Sequence, residues 1–328
     1  MKKTISAAVA LSIFAAPAIA ANLEHPLYMP YKGAVYSKTS AGVMYKITDD
    51  TDAQVNKNHD GAIEFPVWRV HEELGYGILD NLEAYAKFGY THDGDIDRKG
   101  MHLGRAGLKY RAINTYSGWV WDLYADAQLG GISEMSGSYA ANGFTYDNYS
   151  NGRWGFHVGT QVGKVWHKFS TAGFIEVLRT FGNDNNSIDV SAIAPLFHGL
   201  LPNEISVDLK STTEVNAGLK MFYQLNNRWS FGGGLTYKHH ADNGVEGLAT
   251  DVNPILLSVP QFQGFLASVE DMNDGFDEYI INLTAAYQLT DMIQGVIYGE
   301  YTFDTAHEQS QNGTDVKAEA GIRLNVQF

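Results

Sequence analysis

A chain of 328 residues with 37 Asp and Glu against 23 Lys and Arg carries a formal net charge of −14, which leaves no basic footprint for nucleic acid. Cysteine is absent, so no disulfide holds the fold and none can mispair in an oxidising compartment. Beyond residue 20, no apolar run approaches the roughly 18 residues of a membrane-crossing helix.

The N-terminus, MKKTISAAVALSIFAAPAIA, places Lys2 and Lys3 before an apolar run from Ile5 to Ala16 and ends on Ala18 and Ala20. This is the layout of a secretory signal cleaved after Ala20, so residues 1–20 are set aside from the fold. Residues 21–32, with Pro26 and Pro30, form a short segment that either folds up into a lumen as a small plug or stays in the periplasm.

From residue 33 onward, amphipathic strands come in pairs. YSKTSAGVMYK is the first, and VHEELGYGIL turns at DN into LEAYAKFGYTH. HLGRAGLKYRA is followed by GWVWDLYADAQL, and RWGFHVGTQVG by FSTAGFIEVLRTF. TEVNAGLKMFYQL turns at Asn226 and Asn227 into RWSFGGGLTYK, and YIINLTAAYQL turns near Asp291 into IQGVIYGEYTF. Asn, Asp and Gly at these junctions are what tight hairpins require. The chain closes on TDVKAEAGIRLNVQF, in which Val316, Ala318, Ala320, Ile322, Leu324, Val326 and Phe328 all share one face. Strict alternation over seven steps exceeds the need of a half-buried soluble strand and suits a tilted strand crossing a bilayer, which takes about 9 to 11 residues.

These segments make about twelve strands, and single-chain bacterial barrels have an even number. Longer polar stretches, roughly residues 47 to 62, 92 to 100, 130 to 151, 182 to 212, 239 to 276 and 305 to 314, alternate with the short turns. The expected fold is therefore all-β: a transmembrane antiparallel β-barrel over residues 33–328, with short periplasmic turns and long extracellular loops. Two aromatic girdles are expected on its outer wall. Tyr110, Trp119, Tyr223, Trp229, Tyr287 and Phe328 form the one at the short turns, and Tyr90, Trp154, Tyr237, Tyr279 and Tyr301 the one near the loops. Two strands fit poorly. Glu176 falls in phase with Ala172 and Phe174, which a bulge near Ile175 would repair, and Pro66 and Glu72 leave the second strand's register open by one residue.

With its signal segment, paired amphipathic strands and closing strand ending in Phe328, the chain resembles the Gram-negative outer-membrane β-barrel (porin-like) superfamily. The resemblance implies an integral outer-membrane location after Sec-type export, contact with membrane lipid and lipopolysaccharide, and delivery to the barrel assembly machinery through Phe328. It does not select among pores, uptake channels, enzymes and adhesins.

Function in a barrel is read from the lumen. The inward set contains Lys38 and Lys46, Arg69 and His71, Glu83 and Lys87, then Arg105, Lys109 and Arg111 beside Asp122 and Asp126, with Glu214, Lys220, Lys238, Glu300, Lys317, Glu319 and Arg323 on the far side. A basic row facing an acidic pair fits a transverse field across an aqueous pore. It fits equally well a lattice of cross-strand ion pairs filling a narrow barrel. Twelve strands fall between the filled eight-strand barrel and the open porin of 16 or more. The expected function is passive diffusion of small polar or charged solutes, with Arg69, Lys87, Arg105, Lys109, Arg111, Asp122, Asp126, Glu300 and Arg323 lining the path.

Two apolar stretches in loops, residues 191–202 and 254–270, fit a constriction, a self-packed cap or an entrance for apolar solutes. The alternatives are thus uptake of hydrophobic compounds and a closed structural or adhesive barrel. Acidic loops around Asp49 to Asp60 and Asp93 to Asp97 read as solvated surface, since the second lacks the Gly and Glu of a calcium loop. No enzyme and no cofactor are expected. His239 and His240 lack a Ser nucleophile and a third metal ligand, and Gly232 to Gly234 are not followed by the Lys-Ser/Thr of a phosphate loop.

Overall fold

The computed structural model describes residues 22–47, 67–93, 98–130, 135–136, 138–141, 144–147, 153–189, 194–197, 200–241, 245–246, 253–260, 262–264, 275–305 and 316–328. The signal segment, Pro66, the acidic stretches 48–66 and 94–97, and residues 265–270 lie outside them. Twelve antiparallel strands close into one barrel. They are β1 (Val35–Ile47), β2 (Val67–Leu79), β3 (Leu82–Asp93), β4 (Arg98–Asn114), β5 (Trp119–Gln128) and β6 (Gly155–Val165). The second half comprises β7 (Phe169–Thr180), β8 (Thr212–Gln224), β9 (Trp229–His240), β10 (Phe276–Gln288), β11 (Ile293–Thr305) and β12 (Val316–Gln327). Each strand pairs with its neighbours in the chain, and β12 pairs back onto β1. Closure removes the free sheet edge that no strand can leave in lipid.

The reason these segments are strands is visible in their two faces. On β8, Leu219, Met221 and Tyr223 point outward and are exposed, while Asn216, Lys220 and Phe222 point in. The outer wall is apolar because lipid covers it, and the inner wall is polar because it faces the lumen. Of the predicted girdle residues, Tyr110, Trp119, Tyr223 and Trp229 at the short-turn end, and Tyr90, Trp154, Tyr237 and Tyr301 at the other, are more than a third exposed.

Short turns join β2 to β3, β4 to β5, β6 to β7, β8 to β9 and β10 to β11. Their chemistry is local. Asn226 Oδ1 accepts from the backbone N–H groups of Arg228 and Trp229, and Thr290 Oγ1 accepts from those of Met292 and Ile293. Gly118, at φ 83°, occupies the left-handed region that the turn before β5 requires. Both ends of the barrel chain meet here, where Phe328 N–H donates to Val35 O and Val35 N–H returns the bond to Phe328 O.

Three expectations change. The register of β7 with β6 and with β8 runs unbroken from Ser170 to Thr180, so no bulge lies near Ile175, and Glu176 shares the lumen face with Ala172 and Phe174. On β2, Arg69, His71 and Glu73 face inward while Glu72 lies on the outer face with Val70 and Leu74; the irregularity falls later, between Gly77 and Leu79. The long connections also contain structure of their own. Residues 138–141, 144–147, 183–189, 204–209 and 245–246 form a second, five-stranded sheet outside the barrel.

Candidate functional site: a charged lumen with an N-terminal plug

Register decides which charges meet in the lumen. On β3 and β4, Glu83 lies opposite Lys109 and Lys87 opposite Arg105; on β4 and β5, Arg111 lies opposite Asp122. Residues opposite one another share a face, so register sets Lys109 beside Glu83 and Arg111 beside Asp122, whereas Arg105 faces Lys87 and reaches an acid only diagonally. Arg111 Nε and Nη2 donate to the two oxygens of Asp122 at 2.8 and 3.1 Å. Lys109 Nζ lies 3.8 Å from Asp122 and 3.9 Å from Glu83, and Arg105 Nε lies 4.0 Å from Asp126. Asp122 is fully buried and also accepts from Gln161 Nε2 at 2.8 Å. Of the two arrangements left open by the sequence, these contacts are those of an ion-paired lattice.

Further groups extend it around the wall. Glu73 lies 3.0 Å from Lys38 and 3.5 Å from Lys87 and accepts from Tyr36 OH. Arg69 pairs with Glu319 at 3.1 Å, and Tyr298 OH donates to the same carboxylate. His157, which the sequence reading passed over, bridges Asp126 (2.7 Å) and Glu176 (3.2 Å), with Tyr85 OH on the first acid and Tyr124 OH on the second. Its signal was there: His157 and Gln161 are the polar residues on the inward phase of β6. His239 and His240 take opposite faces of β9. His239 contacts Asp277 outside, while His240 contacts Glu278 and Glu214 inside. Alternation therefore denies the pair a shared metal.

Residues 22–33, for brevity the plug segment, run inside the barrel near its short turns. Asn22 donates to Gln224 and Ser230 and accepts from Gln294. Glu24 receives Arg323 Nη1 at 2.9 and 3.1 Å and Asn325 Nδ2 at 2.9 Å. Three successive plug carbonyls, of Pro26, Leu27 and Tyr28, accept from Gln161, Arg111 and Lys109. Leu27 is buried against Val120 and Ala172. The exit into β1 is tight. Gly33, at φ 85°, donates to Gly77 O, and a Cβ on Gly77 would lie 2.0 Å from Tyr31 O.

The plug lies outside the strands, and its His25 is held as a neutral acceptor. Burial, with Arg111 and Lys109 nearby, lowers the His25 pKa from 6.5 to about 4. Leu27 N–H donates to its Nδ1 at 3.2 Å.

Beside the plug the lumen keeps a cavity of about 440 Å3. Arg69, Lys87, Lys109, Glu300 and Arg323 line it, whereas Arg105, Arg111, Asp122 and Asp126 stand in the lattice and are not among its lining residues. Lys220 is an added lining cation, its Nζ 4.5 Å from the centroid of the Phe174 ring. Within the apolar loop stretches, Ala194, Leu201, Leu256 and Phe262 are buried. None of them lines this cavity.

No family model and no curated protein matches the sequence. Solved structures do match. The COG4313 outer membrane channel from Pseudomonas putida F1 is similar at TM-score 0.55 and 13% identity, over 92% of this chain and 97% of that one. The CymD monoaromatic hydrocarbon channel (TM-score 0.47, 10% identity, 91% and 89%) and the NanC porin (0.43, 8%, 87% and 98%) share less. The first likeness shows the fold alone, a closed antiparallel β-barrel.

Proposed function

We propose that this chain is an outer-membrane channel through which small polar or charged solutes diffuse, with residues 22–33 forming a plug that must undock for passage. The reading rests on one observation. A charged, unfilled cavity of about 440 Å3 lies inside the barrel against a segment held mainly by hydrogen bonds, rather than against a packed apolar core. Arg69, Lys87, Lys109, Lys220, Glu300 and Arg323 are the residues that a passing solute meets, and the lattice of Arg105, Arg111, Asp122 and Asp126 shapes the wall behind them. A lumen with this lining disfavours apolar cargo. Export by the signal segment, assembly through Phe328 and contact with lipopolysaccharide belong to the same reading, with the short turns in the periplasm.

The test is conductance in a planar bilayer of the chain beginning at Ala21, compared with one lacking residues 22–32. The full chain should conduct rarely and the truncated one steadily. If the truncated barrel folds and stays silent, the channel reading is wrong.

A further inference from the structure

Gly232 to Gly234, which match no phosphate loop, clear one stretch of the lumen wall. Register lays two rows across β8 to β11. Lys220 lies opposite Gly234, Gly234 opposite Asn282 and Asn282 opposite Glu300; one inward step nearer the short turns, Gly232 lies opposite Thr284. Residues opposite one another share a face, and Lys220, Gly232, Asn282, Thr284 and Glu300 all line the cavity. A side chain at Gly232 would collide with Thr284 Oγ1, and a Cβ on Gly234 would lie 2.8 Å from Asn282 Oδ1. Bare backbone at both inward positions thus lets Asn282 and Thr284 lie against the wall between Lys220 and Glu300.

The polar side chains of this stretch are unsatisfied. Among the described residues, those of Lys220, Asn282, Thr284 and Glu300 make no hydrogen bond and no ion pair; Lys220 has only the face of Phe174, 4.5 Å from its Nζ. The charges that could have answered them are taken. Glu176, whose charge reaches Lys220, is held by His157 and Tyr124. Lys238 pairs with Glu278 at 3.1 Å. Glu300 lies directly opposite Glu319, which already holds Arg69 and Tyr298. Carboxylates set opposite each other repel, so the Glu300 end calls for a cation and the Lys220 end for an anion.

We propose that this stretch of wall binds a short unblocked peptide, its C-terminal carboxylate on Lys220 and its N-terminal ammonium on Glu300. The spacing selects the length. Lys220 and Glu300 stand three strand spacings apart, about 14 Å of wall; an extended tripeptide spans about 10 Å, and the two side chains, reaching in from the wall, cover the rest. A free amino acid carries both charges on one carbon and reaches only one end. Asn282, with donors and an acceptor on one amide, matches a peptide bond, and the Thr284 hydroxyl serves as donor or acceptor. A lone anion at Lys220 or a lone cation at Glu300 would leave the opposite charge unanswered, and an apolar solute would leave all four groups so. At about 440 Å3 the cavity falls within the roughly 300–1,000 Å3 of small-molecule sites. As the cargo of the channel proposed above, the peptide rests on that reading; occupancy of the site does not, because the cavity is present with the plug docked.

The test is isothermal titration calorimetry on the refolded barrel beginning at Ala21, with the plug in place. The probes are trialanine, its N-acetyl form, its C-terminal amide, and alanine. Trialanine should bind, and each of the other three should bind about tenfold more weakly or worse, since each gives up a charge-assisted contact. Lys220→Met should weaken trialanine by the same factor without weakening the amide further, and Glu300→Gln should do so without weakening the acetylated form further. The comparison among probes stands even where a variant fails to fold. Trialanine that does not bind, blocked forms or alanine that bind as tightly as trialanine, or folded variants that weaken every probe alike would each overturn the proposal. A silent barrel that binds trialanine would sink the channel reading alone, and a conducting barrel that ignores it would sink this one.

Discussion

Removing the Glu24 carboxylate is the sharpest probe of the plug. Glu24 holds Arg323 through both oxygens and Asn325 through one, at 2.9 to 3.1 Å. The Glu24 side chain is 6% exposed and that of Arg323 28%, so the bonds are shielded on one side and partly wetted on the other. A hydrogen bond to a charged group contributes about 1.5–3 kcal/mol. Because Arg323 regains water when its partner leaves, we take about 2–3 kcal/mol for the whole group rather than the sum of three bonds. At 1.4 kcal/mol per factor of ten, Glu24→Ala should raise the undocked population about 30- to 100-fold. The readout is the frequency of openings in single-channel records, and Glu24→Gln, which can still accept from Asn325, should fall between. If Glu24→Ala opens no more often than the parent while deletion of residues 22–32 opens the barrel, then Glu24 does not hold the plug. If neither variant opens, the plug is not the barrier.

Acid should act in the same direction. A His whose docked pKa lies below 6.5 binds its proton better when undocked, so docking weakens as pH falls from about 6.5 and the loss is complete near pH 4. The shift corresponds to about 3 kcal/mol at its limit. Openings should therefore multiply across that window and His25→Phe should flatten the response; an unchanged profile in the variant would assign the effect elsewhere. Lys87→Glu reverses a charge on the cavity wall and should move the reversal potential in a salt gradient towards cations, whereas no movement would place Lys87 off the path. Asp122→Ala leaves Arg111 and part of Lys109 uncompensated in a buried setting, a loss of about 3–5 kcal/mol. That should appear as a lower temperature for the heat-induced gel shift of the barrel, and an unshifted transition would mean that the lattice carries little stability.

The outer wall was legible because lipid imposes one rule on every strand. YIINLTAAYQL and IQGVIYGEYTF announce β10 and β11, and the closing segment announces β12, by alternation alone. The lumen follows no such rule. FSTAGFIEVLRTF looked broken because apolar Ala172 and Phe174 share the face of Glu176, and that face is mixed for a physical reason: Ala172 helps form the socket for Leu27. The plug itself, ANLEHPLYMPYKG, has no periodicity to read. Its partners lie as far as 301 residues away in sequence, as between Glu24 and Asn325, and only closure of the barrel brings them together. Glu72 gave the opposite lesson. By alternation it leaves the register of the second strand open by one residue, yet the strand is regular there and the charge lies on the outer wall.

The same side chains that hold the plug also determine what an open lumen would present. Arg111, Lys109 and Gln161 donate to backbone carbonyls of residues 26–28, a mode of recognition that needs no particular plug side chain. When the plug leaves, those donors face water at the mouth, and Arg323 loses the carboxylate of Glu24 at the same moment. Asp122 stays beneath Arg111 and Lys109, so the wall keeps its lattice while three cations lose their plug contacts together. Opening would thus change the charge of the exit as well as its width. A rigid barrel can couple the two because the plug supplies an acid and three carbonyls to Arg323, Arg111, Lys109 and Gln161, which the strands hold in place.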